Sequence, residues 1–525
     1  VKKTVMELDD LPQYLSSLRD GAVVVTTGSG GGLLEPDGVL AGLEAAFKET
    51  GHPRDLTLVH ALGIGDKGER GTNRFAHEGM VKRVIGGHWT WSPRMLDMAR
   101  NGDIEAYCLP SGVIINLMRE IGAGRPGLIT RVGLGTFVDP RNGGGRSNSR
   151  TDEEIVELMT IDGEEYLRYK PFPVDLGVIR GTFADEDGNI CAIEEPADLD
   201  IYNIALAARN SGGRVIAQVR EIRPRGSFLP REVAVPGNLV DVVALAPEQP
   251  QTYFGPYNLS LSGQNREVAD VTPPNFADAA RRIIAHRAAA ELVTGSTINF
   301  GFGMSADVAG IVETSGRKSD FWITIEQGLH NGTLMTGDLF GIASNPSAIV
   351  SSAAQFDLYS GGGLDQTYLG MAEMDAEGNV NVSHIGGRMS GPGGFVDISQ
   401  GAETVVFCGT FAAKGLDIEA TDGKLEIRQH GKIHKLVSRV AGITFSGSEA
   451  ARRGQKVVYV TERAVFELTS EGVELVEVAP GIDIQADILD HMEFSPIIRE
   501  PRLMRTDLFT LTPQTGAQFW KEKQS

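Results

Sequence analysis

Short unbroken apolar runs that stop at glycine set the rhythm of this chain. AVVVTT (22–27) stops at GSGGG, and STINF (296–300) stops at GFGMS. Each is followed by a stretch with helical spacing of apolar residues, DGVLAGLEAAFKETG (37–51) and ADVAGIVETSG (306–316). A β-type run, a glycine turn and a helix, taken repeatedly, predict an α/β fold with mainly parallel strands.

The pattern occurs twice. In the first half, DDLPQYLSSLRDG leads into AVVVTTGSG, a helix, and then RDLTLVHALGIG (54–65). In the second, FADAARRIIAHRAAAELVTG leads into STINFGFG, a helix, and then SDFWITIEQG (319–328). GTFADEDGNI (181–190) is echoed by GMAEMDAEGNV (370–380), and both carry Asp-x-x-Gly-Asn, a turn signature. A β-rich run follows each, GGRVIAQVREI (212–222) and AETVVFCGTF (402–411). The expected organisation is two similar open α/β domains, 1–245 and 274–525, joined by a Pro-, Gly- and Ser-containing crossover, 246–273. The tail QTGAQFWKEKQS is expected to be loosely held.

Composition narrows the class. The chain has 525 residues and a formal net charge of −20, with 41% hydrophobic and 22% charged residues. No basic stripe marks a nucleic-acid surface. No apolar run reaches the ~18–20 residues of a membrane helix, and VKKTVMELDD has no secretory apolar core. Cys108, Cys191 and Cys408 are scattered and odd in number, which fits reduced, buried thiols in a cytoplasmic setting and no zinc site. KLEIRQHGKIHKLV alternates like a hairpin, so His430 and His434 do not make a metal pair, and His88 in GGHWTW reads as packed.

One acid stands out. In DFWITIEQGLHNG (320–332), an apolar run from Phe321 to Ile325 delivers Glu326, followed by Gly328 and Gly332. The first-half counterpart offers only His60 or Ala61. Apolar surroundings raise a carboxyl pKa and make its anion more reactive. The alternative is a strand-end acid that caps a helix or pairs with an arginine. GFGMSA (301–306) with Glu326 also comes close to a dinucleotide fingerprint. The glycine-dense stretch 361–401 brings backbone N–H groups within reach of a ligand, and Gly393 and Gly394 in GPGGFVD are candidate oxyanion donors.

In order and spacing, these segments resemble the family I coenzyme A-transferases, most closely the single-chain acetate/3-oxoacid type with two fused α/β domains. The landmarks are DGAVVVTTGSGGGLLEP (20–36), ETGHPRDLTLVHALGIGD (49–66), FAHEGMVKRVIGGHW (75–89), EAYCLPSGVI (105–114), GLGTFVDPRNGGG (133–145), RGTFADEDGN (180–189), NFGFGM (299–304), TIEQG (324–328) and residues 361–401. The resemblance implies that Glu326 attacks an acyl-CoA thioester and passes through an acyl-glutamyl anhydride to a glutamyl-CoA thioester. It implies that Gly394, with Gly393, is an oxyanion donor, and that Asn299 sits near the reacting carbonyls. It sets Ser111, Gly30, Gly301, Gly303, Gly328, His330, Asn331, Gly362, Gly363 and Gly370 around CoA and the acid. It further implies no permanently bound cofactor, CoA and acyl-CoA as substrates, small carboxylic acids as partners, and a homo-oligomer, dimer or tetramer.

Three departures from the family pattern concern the acid pocket. Ser111 replaces the usual glutamine, GGGL replaces the aromatic that is usual after the first glycine, at Ser29, and LHNG (329–332) carries His330 and Asn331 where small residues are usual. They point to an acyl group larger or more polar than acetate. The competing readings are a thioester or C–C hydrolase on the same fold, a nicotinamide-dependent enzyme, and a non-catalytic CoA-binding protein.

Overall fold

Apolar runs become parallel strands because a strand covered by helices on both faces is stable only when both faces are apolar. The computed structural model describes residues 3–268, 274, 276–510 and 520–521. The chain divides into two units. One comprises Val1–Val268, Glu326–Asp357 and Arg388–Asp397; the other comprises Ala269–Ile325, Leu358–Gly387 and Ile398–Ser525. Grouping by contact thus places Glu326 and Gly394 with the N-terminal part of the chain, whereas division along the sequence sets them in the second half.

The first unit is built on eight strands: β1 (Thr4–Glu7), β2 (Val23–Thr26), β3 (Leu56–His60), β4 (Val81–Gly86), β5 (Glu105–Cys108), β6 (Leu176–Arg180), β7 (Arg214–Val219) and β8 (Val242–Leu245). They lie in the order β1-β8-β7-β6-β2-β3-β4-β5, and every joint is parallel. The second unit carries β9 (Thr297–Phe300), β10 (Trp322–Thr324), β11 (Leu364–Gly370), β12 (Ala402–Cys408), β13 (Lys456–Val460), β14 (Ala464–Thr469), β15 (Gly472–Val478) and β16 (Ile497–Leu503). These run β10-β9-β11-β12-β13-β14-β15-β16. The joints up to β13 are parallel, and the β13–β14 and β14–β15 joints are antiparallel.

The order β3-β2-β6-β7-β8 in one unit therefore repeats as β10-β9-β11-β12-β13 in the other. In both, the order reverses at the first of these strands in the chain, β2 or β9. Open α/β sheets bind ligands outside the carboxyl ends of strands at such a reversal. The loops found there are GSGGG after β2 and GFGM after β9.

The echoed turn signatures fold alike. In the first unit, Asp185 Oδ1 accepts from the Asp187 and Asn189 amides at 2.9 and 3.0 Å, and Asn189 Nδ2 donates to Asp185 Oδ2 at 2.9 Å. In the second, Asp375 Oδ1 accepts from the Glu377 and Asn379 amides, both at 3.1 Å, and Asn379 Nδ2 donates to Asp375 Oδ2 at 3.2 Å. Each asparagine then accepts a distant glycine amide, Gly237 at 2.9 Å and Gly447 at 3.0 Å. A Cβ at Gly237 would lie 2.1 Å from Asp187 O, and one at Gly447 2.0 Å from Glu377 O. Gly237→Ala is expected to cost about 2 kcal/mol, because backbone, not a flexible side chain, must give way. A lowered urea midpoint with an unchanged slope is the check.

Residues 246–264 hold no strand and only a short 3-10 turn at Leu259–Leu261, yet they are tied down in the first unit. Gln251 Nε2 donates to Glu194 O at 2.6 Å, and the Tyr253 amide donates to Gly31 O at 2.6 Å. The tail departs from its expectation at residues 520–521. The Trp520 ring packs edge-on against Phe321 at 4.9 Å, and the Lys521 amide donates to Leu292 O at 2.9 Å. The rest of the tail lies outside the described residues. All three cysteines are buried and free. Among the described residues, no helix is long and apolar enough to cross a membrane.

Candidate active site

Glu326 follows two residues after β10, which is shorter than the Phe321–Ile325 run expected. The residue is half-buried. Gln327 Nε2 donates to its Oε1 at 3.4 Å, and the Gly394 N–H donates to its carboxylate. Burial pushes its pKa up to about 7, against the pull of those two hydrogen bonds. The closest approach is backbone to carboxylate: a Cβ on Gly394 would lie 1.8 Å from Glu326 Oε2. Only glycine lets the amide come this near.

The segment that carries Gly394 is fastened at several points within the first unit. The Trp89 amide donates to Ser390 O at 2.8 Å, and the Gly393 amide donates to Gly87 O at 2.9 Å. The Ser111 amide donates to Gly393 O at 2.9 Å, and the Gly112 amide donates to Asp397 Oδ2 at 3.1 Å. Gly87 has no room for a side chain, since a Cβ there would lie 1.9 Å from Ala61 O. Gly393 has φ +56, a left-handed conformation that a side chain disfavours.

Bare glycines continue outward from the carboxylate. A Cβ at Gly393 would sit 3.9 Å from His88 Cδ2. One at Gly63 would sit 2.9 Å from His88 Nδ1 and 2.7 Å from Trp91 Cδ1, and one at Gly30 would overlap the Trp91 ring at 2.1 Å. The wall of this region is therefore imidazole and indole against backbone. Burial, and the neighbouring His60, push the His88 pKa down to about 4, so its ring is neutral at pH 7. Burial does the same to His60, whose Nδ1 lies 2.8 Å from Leu62 O.

The structure brings Glu326, Gly393, Gly394 and Ser111 into one constellation. Ser111, expected to face the substrate acid, is fully buried at the start of the helix Ser111–Gly122, and its Oγ donates to Ala61 O at 2.6 Å. That hydroxyl is engaged within the protein because the helix start lies against the chain leaving β3. Gly328, His330 and Asn331 form one side of a small hairpin, 329–330 against 348–349. A Cβ at Gly328 would lie 1.9 Å from Val350 O, and Asn331 Nδ2 donates to Ser347 Oγ at 2.9 Å.

The remaining sequence-derived residues belong to the second unit. Asn299 is buried near the end of β9, with Nδ2 3.2 Å from Thr324 O and 3.4 Å from Tyr359 Oη. Thr367 Oγ1 donates to its Oδ1 at 3.3 Å. Gly301 packs on Leu369, and Gly303 has open space around it. Gly362 and Gly363 close the helix Ser352–Ser360, their amides donating to Tyr359 O at 3.2 Å and Leu358 O at 2.8 Å. Gly370 ends β11 with ordinary room beside Phe302 O. Sequence reasoning missed Asp397, Gly112 and Trp91. The available signal for Asp397 was an acid in the first turn of a helix directly after GPGG.

A family model for coenzyme A transferases matches residues 13–246. The chain is 41% identical over 499 residues to the acetate CoA-transferase YdiF of Escherichia coli K12, which covers 95% of this chain and 94% of that one. It is 43% identical over 471 residues to the caffeate CoA-transferase of Acetobacterium woodii, covering 88% and 90%. The apoenzyme crystal structure of the acyl-CoA transferase YdiF from Escherichia coli O157:H7 superposes with a TM-score of 0.92 at 38% identity, covering 99% and 98%. A crystal structure of the same protein as a thioester complex with CoA superposes at 0.91. The full-length identity, the shared architecture and the matched family model together establish that the chain belongs to the coenzyme A transferase family.

Proposed function

We propose that this CoA-transferase moves CoA between carboxylic acids through a covalent thioester on Glu326. The observation that carries the reading is the environment of that carboxylate. Its partners are a side-chain amide and the Gly394 N–H, and among the described residues no cation holds it. A buried acid serving only as an anchor is held differently. Glu195, for instance, is paired with the buried Arg180 at 3.0 Å.

The carboxylate oxygen of Glu326 attacks the thioester carbonyl of the donor acyl-CoA. The C–S bond breaks, giving an acyl-glutamyl anhydride and CoA thiolate. The thiolate then attacks the glutamyl carbonyl, the bond from the glutamyl carbonyl carbon to the bridging anhydride oxygen breaks, and the first acid leaves as its carboxylate, taking that oxygen. A second carboxylate reverses both steps. No proton is gained or lost, and each step exchanges activated acyl groups of similar energy. The Gly394 N–H donates to the Glu326 carboxylate, which supports a role for it in stabilising the charge that develops on the glutamyl oxygen when thiolate attacks. Excluding water protects the anhydride from hydrolysis. A role for Asn299 near the reacting carbonyls rests on the family resemblance alone; within the second unit its amide donates to Thr324 O and Tyr359 Oη. A homo-oligomer in the cytoplasm belongs to the proposal by family resemblance alone.

The acid accepted is larger than acetate. The rings of Trp91, Phe254 and Tyr253 lie beside the glycines at 30, 31 and 32, and Ser111 offers no long amide. Relatives named for acetate and for caffeate span a small and an aromatic acid.

The test mixes the protein with acetyl-CoA and with larger acyl-CoAs, without acceptor, and records intact mass. A CoA-sized adduct that added carboxylate discharges is expected, fastest with a larger acyl group. Its formation rate should rise with pH and level off above about 7, since only the ionised Glu326 attacks and its pKa is about 7. Free CoA release with no adduct and no acceptor requirement would replace this reading by a hydrolase. Acetate outrunning every larger acid would overturn the substrate class.

A further inference from the structure

We propose that Asp397 is a positioning residue that holds the Gly394 amide against Glu326 by capping the start of the helix Ser111–Gly122. The proposal rests on the glutamyl-thioester reading above and adds a residue to it.

The helix Ser111–Gly122 begins after Pro110, which supplies no side-chain cap. Its first N–H groups need acceptors from elsewhere. Ser111 N–H finds Gly393 O, and Gly112 N–H finds Asp397 Oδ2 at 3.1 Å. The Val113 N–H also reaches the Asp397 carboxyl. Both acceptors flank Gly394, one on the residue before it and one three residues after. The helix start therefore grips the segment on either side of the amide that meets Glu326. The other fastenings, at Ser390 and Gly393, join backbone to backbone. Asp397 adds a fastening that depends on its own carboxyl.

The fit is specific. Asp397 is 1% exposed. A Cβ on Gly112 would lie 2.5 Å from Asp397 Oδ1 and 2.6 Å from Phe356, so Gly112 is what admits the carboxyl to the helix start. Burial raises the Asp397 pKa well above the ordinary value, and the Glu326 charge raises it further. Tyr169 is the other titratable group that senses it. The neutral acid still accepts the Gly112 N–H, which makes asparagine a near-equivalent replacement.

Asp397→Ala should lower kcat about 100-fold, the scale of a misplaced or lost oxyanion donor, with the KM for acyl-CoA little changed. Asp397→Asn should keep most of kcat. Rates are taken per active site, counted by the CoA adduct, so that partial unfolding does not pass for lost chemistry. A merely structural role predicts normal turnover per competent site in Asp397→Ala, and that result overturns the proposal. If Asp397→Ala does not fold, Gly112→Ala displaces the carboxyl without removing it and should show the same fall in kcat. Unchanged kcat there is equally fatal. Glu326→Gln run alongside separates the two readings: adduct formation in that variant defeats the glutamyl-thioester mechanism itself, whereas its absence together with full activity in Asp397→Ala defeats only the role of Asp397.

Discussion

Glu326→Gln is expected to abolish transfer, by at least about 10⁴-fold, and at the same time to stabilise the folded protein at alkaline pH. The first effect follows from removing the nucleophile of a covalent mechanism. The second follows from its environment. Burial raises the Glu326 pKa from the ordinary 4.5 to about 7. Below 4.5 the group is protonated in both folded and unfolded chains, and the environment costs nothing. As pH rises from 4.5 to 7, the unfolded chain ionises first and stability falls. Above 7 the full cost is present, roughly 3 kcal/mol as an upper bound for a half-buried group. Glutamine removes that cost and still accepts the Gly394 N–H. The variant should therefore melt later than the wild type at pH 8.5, with the gap narrowing as pH falls toward 4.5. A variant that is inactive but melts earlier at pH 8.5 would mean that the ionised carboxylate is stabilised by its surroundings, against the present reading.

Gly394→Ala is the second large effect. The new methyl would lie 1.8 Å from Glu326 Oε2 and 3.2 Å from Phe356 Cζ. The carboxyl is the flexible partner, so it swings away and leaves the N–H behind. Loss of one such donor lowers kcat by about 10²–10³-fold. Stability should change little, because Gly394 is not among the left-handed residues and the backbone tolerates alanine there. Gly393→Ala should show the reverse balance. Its Cβ meets nothing closer than His88 at 3.9 Å, but φ +56 makes any side chain cost about 1 kcal/mol. Comparing kcat and melting temperature for the pair separates donor geometry from backbone strain. Equal kcat for Gly394→Ala and wild type would remove Gly394 from the chemistry.

The two glycines also show where sequence reasoning reached and where it stopped. Their candidacy was legible from glycine density after a β-type run, and so was the lone acid after Phe321–Ile325. The duplicated Asp-x-x-Gly-Asn turns were legible too, because an Asx turn is made by residues within five positions of one another. The paired glycine contacts at 237 and 447 were not, although they repeat between the units with the same atoms.

Ser111 shows the opposite case. Its residue type suggested a shortened substrate contact, yet its hydroxyl lies on Ala61 O. Which way a side chain faces at the first turn of a helix depends on what packs against that turn, and strand β3 and residue 61 are remote in sequence from residue 111. Residues 246–264 read as a linker or crossover because they have little periodicity, but periodicity reports regular structure, not attachment. Gln249, Gln251, Tyr253 and Tyr257 are among the residues whose hydrogen bonds hold that coil in place.

By itself the sequence determined the α/β class, the internal repeat and the acid around which the chemistry is proposed, since the class and the acid are written in local patterns and the repeat in the return of the same motifs in the same order. Only the tertiary structure decided that the Gly394 N–H meets Glu326, that burial lifts that carboxyl to about 7, and that Asp397 caps a helix begun by Pro110. Those facts are through-space pairings and losses of water. Neither leaves a period in the chain, because the groups involved are brought together by the packing of the sheet and helices between them.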